Sequence, residues 1–219
     1  MADGPEGAYL PPPPDDLESP NVVVLTAGTA LHRIHDRRLG GDAFNHCRGA
    51  PTRFAPIRDR RGKCVASLYA GSTLESAIYE TILHDVPVAG VGPRTVPLTQ
   101  VHDRMHSVLT LRRDVRLASL RAPDLRKWGI ARSLLIASPP TAYARTASWA
   151  KVVHDHFPSI EGLLWTSNQC DPDDAVTFFG DRVFPTDLAA VSNRDGRIDR
   201  SLQSDVRAAA ARSGIYIST

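Results

Sequence analysis

The sequence predicts an α+β fold, in which strands and helices interleave without the regular crossovers of a doubly wound sheet. A buried strand, Val65–Ala70, runs straight into a helix opened at Ser72-Thr-Leu-Glu75. Two apolar runs, Gly162–Ser167 and Ala175–Phe179, follow one another across an Asp/Pro turn with no helix between them. Neither G-x-G-x-x-G nor G-x-x-x-x-G-K-[ST] occurs, so neither common phosphate loop is present.

Residues 1–21 read as an acidic, Pro-rich tail, extended or disordered. The first twenty residues hold five acids, no bases and the run Pro11–Pro14, which supports neither a helix nor a sheet ladder. Residues 22–219 read as one domain. Its first strand is Val22–Leu25. In Thr29–His35, Leu31, Arg33 and His35 share one side at period two, opposite His32 and Ile34. A long Gly- and Arg-rich connection follows, from Gly40 to Gly62. The Ser72–Glu75 signature has the spacing of a capping box, and Leu74, Ala77, Ile78 and Ile82 give the helix behind it an apolar stripe over about three turns. Glu80 falls on the edge of that stripe. Strands are expected at Arg94–Val101, His106–Leu111 and Val115–Leu117, then a helix over Thr141–His156 ended by Pro158. The runs Gly162–Ser167 and Ala175–Phe179 read as neighbouring strands. A polar helix over Asp199–Arg212 with a Gly214 cap and a short last strand complete the chain.

At 219 residues, 42% hydrophobic and 23% charged, the composition is that of an ordinary globular domain. No apolar run approaches the roughly 18 residues of a membrane span, and the acidic N-terminus is unlike a secretory signal, so a cytoplasmic protein without membrane contact is expected. A net charge of +2 gives no footprint for direct nucleic-acid binding. The distribution is uneven, however: from Arg33 to Lys63 nine bases face three acids, enough to dock a polyanion or simply to solvate a face. Cys47, Cys64 and Cys170 are odd in number and widely spaced with no C-x-x-C, which reads as three reduced, structural thiols. The eight histidines lack H-E-x-x-H or a Cys/His grid, so no metal site is expected, and no G-x-S-x-G elbow is present.

What remains is a set of separated polar residues on apolar elements: Arg33, Arg53, Tyr69, Glu80 and Ser167. Each alone has a plain explanation as a paired arginine, a core tyrosine, a helix-surface glutamate or a strand-end hydroxyl. Glu75 is accounted for by capping.

Taken together, Leu31-His-Arg-Ile-His35, Thr52-Arg-Phe-Ala-Pro56, Ser67-Leu-Tyr-Ala through Ala77-Ile-Tyr-Glu-Thr81, Gly162-Leu-Leu-Trp-Thr-Ser167 and Ala175-Val-Thr-Phe-Phe-Gly180 resemble the RES family in pattern and order over about residues 29–185. The family is known chiefly as the toxin half of bacterial toxin–antitoxin pairs. The resemblance implies a mixed, split β-sheet surrounded by helices, similar to diphtheria-toxin-like ADP-ribosyltransferases. It implies Glu80, Arg33 and Ser167 as catalytic residues and Arg33, Arg53, Tyr69 and Ser167 as the residues that bind NAD. One departure is Ala55, where many relatives place Asn or Asp.

NAD is then a substrate rather than a catalytic cofactor, with inorganic phosphate a candidate co-substrate. The implied activity is cleavage of the nicotinamide–ribose bond by an NAD glycohydrolase or phosphorylase, which depletes NAD and arrests growth unless an antitoxin intervenes. Protein ADP-ribosylation and an inactive binding module of the same fold are the alternatives. The implied partner is a cognate helix-turn-helix, Xre-like antitoxin, with a homodimer also in view. The residue types suit this chemistry. A cleaved nicotinamide leaves as a neutral base from an oxocarbenium-like ribose, so a carboxylate can stabilise the sugar while arginines hold the diphosphate.

Overall fold

In the computed structural model, residues 9–88 and 92–219 are described, and the first eight residues of the acidic tail lie outside them. In chain order the strands and helices are β1 Val22–Leu25, β2 Ala30–Asp36, β3 Ile57–Arg58, β4 Cys64–Val65, β5 Ser67–Gly71, α1 Leu74–Tyr79, β6 Thr95–Pro97, α2 Leu98–His102, β7 Arg104–Leu111 and β8 Val115–Ser119. They continue as α3 Ala122–Lys127, α4 Arg132–Leu135, α5 Tyr143–His156, β9 Gly162–Thr166, β10 Asp174–Phe179, β11 Leu188–Asp195, α6 Arg200–Arg212 and β12 Tyr216–Ser218.

Eight strands form one mixed sheet in the order β1-β8-β9-β10-β5-β2-β7-β11, with β8 and β9 parallel and the other pairs antiparallel. Its two halves meet between β5 and β2 through a single register pair, His32 opposite Gly71. The sheet is therefore nearly split, as the sequence reading expected. Leu31, Leu68, Leu109, Leu117, Leu164 and Phe178 fill the inner face. On the outer face, α3, α4 and α5 cover one half through Leu125, Leu135, Trp149 and Val153. The other half is covered by α1, α6 and the β6/β12 pair through Ala77, Ile78, Val206 and Ile217. The central strands β9 and β10 thus bury both faces, which is why they read as continuous apolar runs.

Residues 9–21 form no helix or strand, and they lie against the domain. Leu10 and Leu17 of this segment are buried against the core, Pro11 O accepts from Trp149 Nε1, and Glu18 O accepts from Trp128 Nε1.

Several local expectations are corrected. Helix α1 is six residues, not three turns, and its cap is Thr73 rather than Ser72. The Thr73 hydroxyl accepts from Ser76 N and donates to Asp173, whereas Glu75 pairs with Arg212 at 2.7 Å. The amides of Ile82 and Leu83 both turn back onto Ile78 O, which closes the helix just after Glu80 while keeping Ile82 buried. The Arg94–Val101 stretch is a three-residue strand followed by α2. Cys47 and Cys64 form a disulfide with their Cα atoms 6.1 Å apart, because the β3/β4 hairpin folds the intervening loop back on itself. Only Cys170 is free, and burial beside Asp173 pushes its thiol up to about 12. No helix among the described residues is long and apolar enough to cross a membrane.

Under α6, the outer face of β2 and β7 holds a histidine pair. His32 Nδ1 lies 3.0 Å from His106 Nε2, the rings are stacked, and His106 Nδ1 is buried without a partner among the described residues. Burial first, then His32 and Arg194, lower the His106 pKa to about 4, with Asp205 opposing. Burial lowers His32 and His35 as well. An imidazole with a folded pKa below its ordinary value binds fewer protons folded than unfolded across that interval. Stability present at neutral pH is therefore expected to fall between about pH 6.5 and pH 4. Urea midpoints measured at pH 7, 6 and 5 should decline, and His106→Gln should flatten that slope; an unchanged slope would assign the acid sensitivity to other groups.

Candidate functional site

The site is built where α1 ends against the end of β9. Gly71, the last residue of β5, allows this approach, since a Cβ there would meet Ser76 Oγ at 2.8 Å and Ala77 N at 3.0 Å. Helix α1 therefore lies close on the strand and delivers Glu80, its C-terminal cap residue, to the turn after β9. Ser167, fully buried, donates its hydroxyl to Glu80 Oε1 at 2.6 Å, and the Asn168 amide donates to the same oxygen at 3.1 Å. Glu80 Oε2 has no protein partner among the described residues. The Ser167 oxygen also accepts from Cys170 N and Gln169 N, so one hydroxyl fixes both the turn and the carboxylate.

Arg53 enters from the loop between β2 and β3. It is 7% exposed, and its Nη1 donates to Ser138 Oγ at 2.9 Å and to the carbonyls of Ser138 and Leu135. Its guanidinium lies over the Tyr143 ring at 5.4 Å. Burial lowers its pKa. Tyr143, Glu80 and Tyr69 oppose that effect, and Arg132 adds to it. The backbone of Arg53 is held as well, because its carbonyl accepts from the Thr146 hydroxyl.

Tyr69 on β5 anchors the same loop. Its oxygen accepts from Phe54 N at 3.1 Å and lies 3.0 Å from Thr52 Oγ1, while its ring meets Trp165 edge-on. Burial pushes its phenol up to about 12, so it stays protonated at neutral pH. Ala55, the departure noted in the sequence, is buried, and its carbonyl accepts from both the amide and the hydroxyl of Thr52.

Four of the five expected residues, Arg53, Tyr69, Glu80 and Ser167, are thus brought together. Arg33 is not. Since His32 pairs with Gly71, strand alternation puts Arg33 on the sheet face opposite Tyr69. It is buried on the inner side, donates to Gly41 O at 2.5 Å, and is lowered to about 10 by burial with Asp42 opposing. Asn168, Arg132 and Tyr143 belong to the cluster and went unread in the sequence. Asn168 stands directly after Ser167, in a polar turn that was the only available signal. Arg132 and Tyr143 lie outside any motif.

Chemically, the arrangement is a carboxylate with one oxygen fixed by two donors and the other free, beside a buried guanidinium and two tyrosine rings. Among the described residues, no three His, Cys, Asp or Glu side chains are grouped to hold a metal ion. Two surface cavities lie elsewhere. One of about 580 Å³ is lined by Arg113, Arg116 and Arg182, and another of about 320 Å³ lies between α1 and α6; neither reaches Glu80.

Ser167→Ala should leave the buried Cys170 amide and the half-buried Gln169 amide without this acceptor, and Glu80 Oε1 with the Asn168 amide as its one protein donor. A stability loss of about 1–3 kcal/mol is expected in urea unfolding. A loss below about 0.5 kcal/mol would show that water replaces the hydroxyl without penalty.

The family model described as RES domain matches residues 30–201. No curated protein matches the chain. Among solved structures, a chain of the crystal structure of the M. tuberculosis MbcT–MbcA toxin–antitoxin complex is similar, with a TM-score of 0.60 at 12% identity over 84% of this chain and 92% of that one.

Proposed function

From the premise that this chain belongs to the RES domain family, we propose that it is an NAD-consuming toxin, and that Glu80 stabilises the ribose as the nicotinamide–ribose bond breaks. The observation that carries this reading is the half-occupied carboxylate. Glu80 Oε1 is held by the Ser167 hydroxyl and the Asn168 amide, which leaves Oε2 for a substrate hydroxyl.

In this reading the carbon–nitrogen bond between ribose and nicotinamide breaks with its electron pair leaving on the ring nitrogen. The positive ring becomes a neutral base, so no proton donor is needed. Positive charge moves onto the ribose, and a fixed carboxylate hydrogen-bonded to a ribose hydroxyl lowers the energy of that state. An oxygen nucleophile then bonds to the same carbon, either water, which releases a proton to solvent as it does so, or an oxygen of inorganic phosphate. Arg53 offers its remaining N–H groups to the diphosphate through charge-assisted hydrogen bonds. Tyr69 offers its ring face to the nicotinamide. Arg33 has no place in the cleft in this reading and supports the Gly41 turn instead.

A toxin of this kind acts in the cytoplasm and needs a partner that blocks its cleft. The similar chain was solved in a toxin–antitoxin complex, which supports an antitoxin for this one. The helix-turn-helix class of that antitoxin and a homodimeric toxin are part of the proposal.

The full chain should be incubated with NAD, with and without inorganic phosphate and cell extract, while nicotinamide release is followed. Release that falls about 10²–10³-fold in Glu80→Gln would support the reading. The product separates the acceptors: free ADP-ribose for water, its 1″-phosphate for phosphate, and label retained on protein for ADP-ribosylation. No release under any condition would leave only a binding module, and release indifferent to Glu80→Gln would remove Glu80 from the cleavage step.

A further inference from the structure

The segment from Arg132 to Ser138 is tied into the site at both ends. At its far end the carbonyls of Leu135 and Ser138 receive Arg53. At its near end Arg132 Nη2 donates to the carbonyls of Thr166 at 3.1 Å and Ser167 at 3.0 Å, and Nη1 lies 3.5 Å from Asn168 Oδ1. These residues form the same turn that presents two donors to Glu80. Arg132 therefore grips the back of the carboxylate's cradle.

The partners of Arg53 and Arg132 have a further property in common. Among the described residues they are carbonyl oxygens, one hydroxyl and one side-chain amide, and neither guanidinium forms an ion pair. Of the other arginines that fold against the domain, Arg37, Arg113, Arg121 and Arg194 pair with a carboxylate, whereas Arg33, Arg94 and Arg182 are also held by backbone carbonyls, each of them away from Glu80. Arg132 also lies near enough to Arg53 for the two charges to oppose each other. Holding two like charges in a partly dry cleft is costly unless an anion completes the site. Glu80, with its single charge, cannot neutralise both arginines and also serve a ribose hydroxyl.

We propose that Arg132 is a specificity-determining residue of the cleft, which with Arg53 forms a two-guanidinium clamp for the diphosphate of a dinucleotide. The proposal rests on the NAD-consuming reading and deepens it by naming the second cation. It also gives the short helix α4 a function: its first residue carries that charge while its last turn orients Arg53. Since the fork to Thr166 and Ser167 uses mainly one nitrogen, the rest of the guanidinium is available to phosphate oxygens.

Calorimetric titration of the full chain with ADP and with AMP tests this without requiring turnover. Wild type should bind ADP at least tenfold more tightly than AMP, with an advantage that shrinks as salt is raised. Arg132→Gln keeps an amide donor for the two carbonyls but removes the charge, and Arg132→Lys keeps the charge without the fork. The first should lose the ADP advantage with AMP binding unchanged, and the second should retain part of it. Equal losses on ADP and AMP in Arg132→Gln would overturn the clamp and leave Arg132 a support for the turn. An ADP affinity no better than AMP in wild type would overturn it as well. Nicotinamide release reports separately on cleavage. ADP binding that depends on Arg132, in a protein that releases no nicotinamide, would sink the cleavage reading and leave the clamp standing.

Discussion

One cross-strand pair, His32 opposite Gly71, joins the two halves of the sheet, and the site depends on what that narrow join permits. Strand β5 pairs fully with β10 on one side and touches β2 through that single pair on the other. Its end is therefore free to turn into α1. Because Gly71 has no side chain, α1 packs directly on the strand and its short length sets Glu80 at the mouth of the split. In the same half, two strands from β5 across β10, β9 ends beside it, and its next residue supplies the hydroxyl that fixes Glu80. A carboxylate and its donors thus come from elements about ninety residues apart, related only by the closure of the sheet.

Around that carboxylate the protein spends polar groups on order rather than on neutrality. The phenol of Tyr69, the hydroxyl of Thr146 and the carbonyls after α4 all hold the Arg53 loop or its guanidinium. None of them cancels its charge. Hydrogen bonds to neutral acceptors fix geometry and leave the electrostatic field available to a ligand, whereas a carboxylate partner would consume it. The Cys47–Cys64 disulfide acts on the same loop from its outer side, closing the hairpin that leads away from Arg53. The site accordingly holds the Arg53 and Arg132 guanidiniums by neutral acceptors in the neighbourhood of a single carboxylate, Glu80.

The local signals that were strongest in the sequence correspond to elements with an unambiguous period or cap. The strand before α1, the strand pair β9/β10 and helix α6 with its Asp199 cap and positive-φ Gly214 all have that character. Short elements were read less well. Helix α4 spans four residues and α3 six, too few to display a helical repeat, and β11 is interrupted by a bulge between Ala190 and Ser192. These are elements whose stability comes from packing rather than from propensity, so the chain carries little local record of them.

The candidate site divides in the same way. The sequence alone determined that Glu80 would sit at the edge of an amphipathic helix, that Ser167 would end a buried strand, and that Arg33 would point away from His32 and Ile34. All three follow from periodicity, which is a property of neighbouring residues. Which of these side chains meet was decided by tertiary structure alone. Arg33 and Tyr69 lie on strands that adjoin each other, yet the register at His32 and Gly71 sends them to opposite faces. Arg132 carries no motif, yet sheet closure lays it on the turn that holds Glu80. Period fixes the direction of a side chain within its own element, while register and packing fix which distant element it faces, and only the folded chain contains the second kind of information.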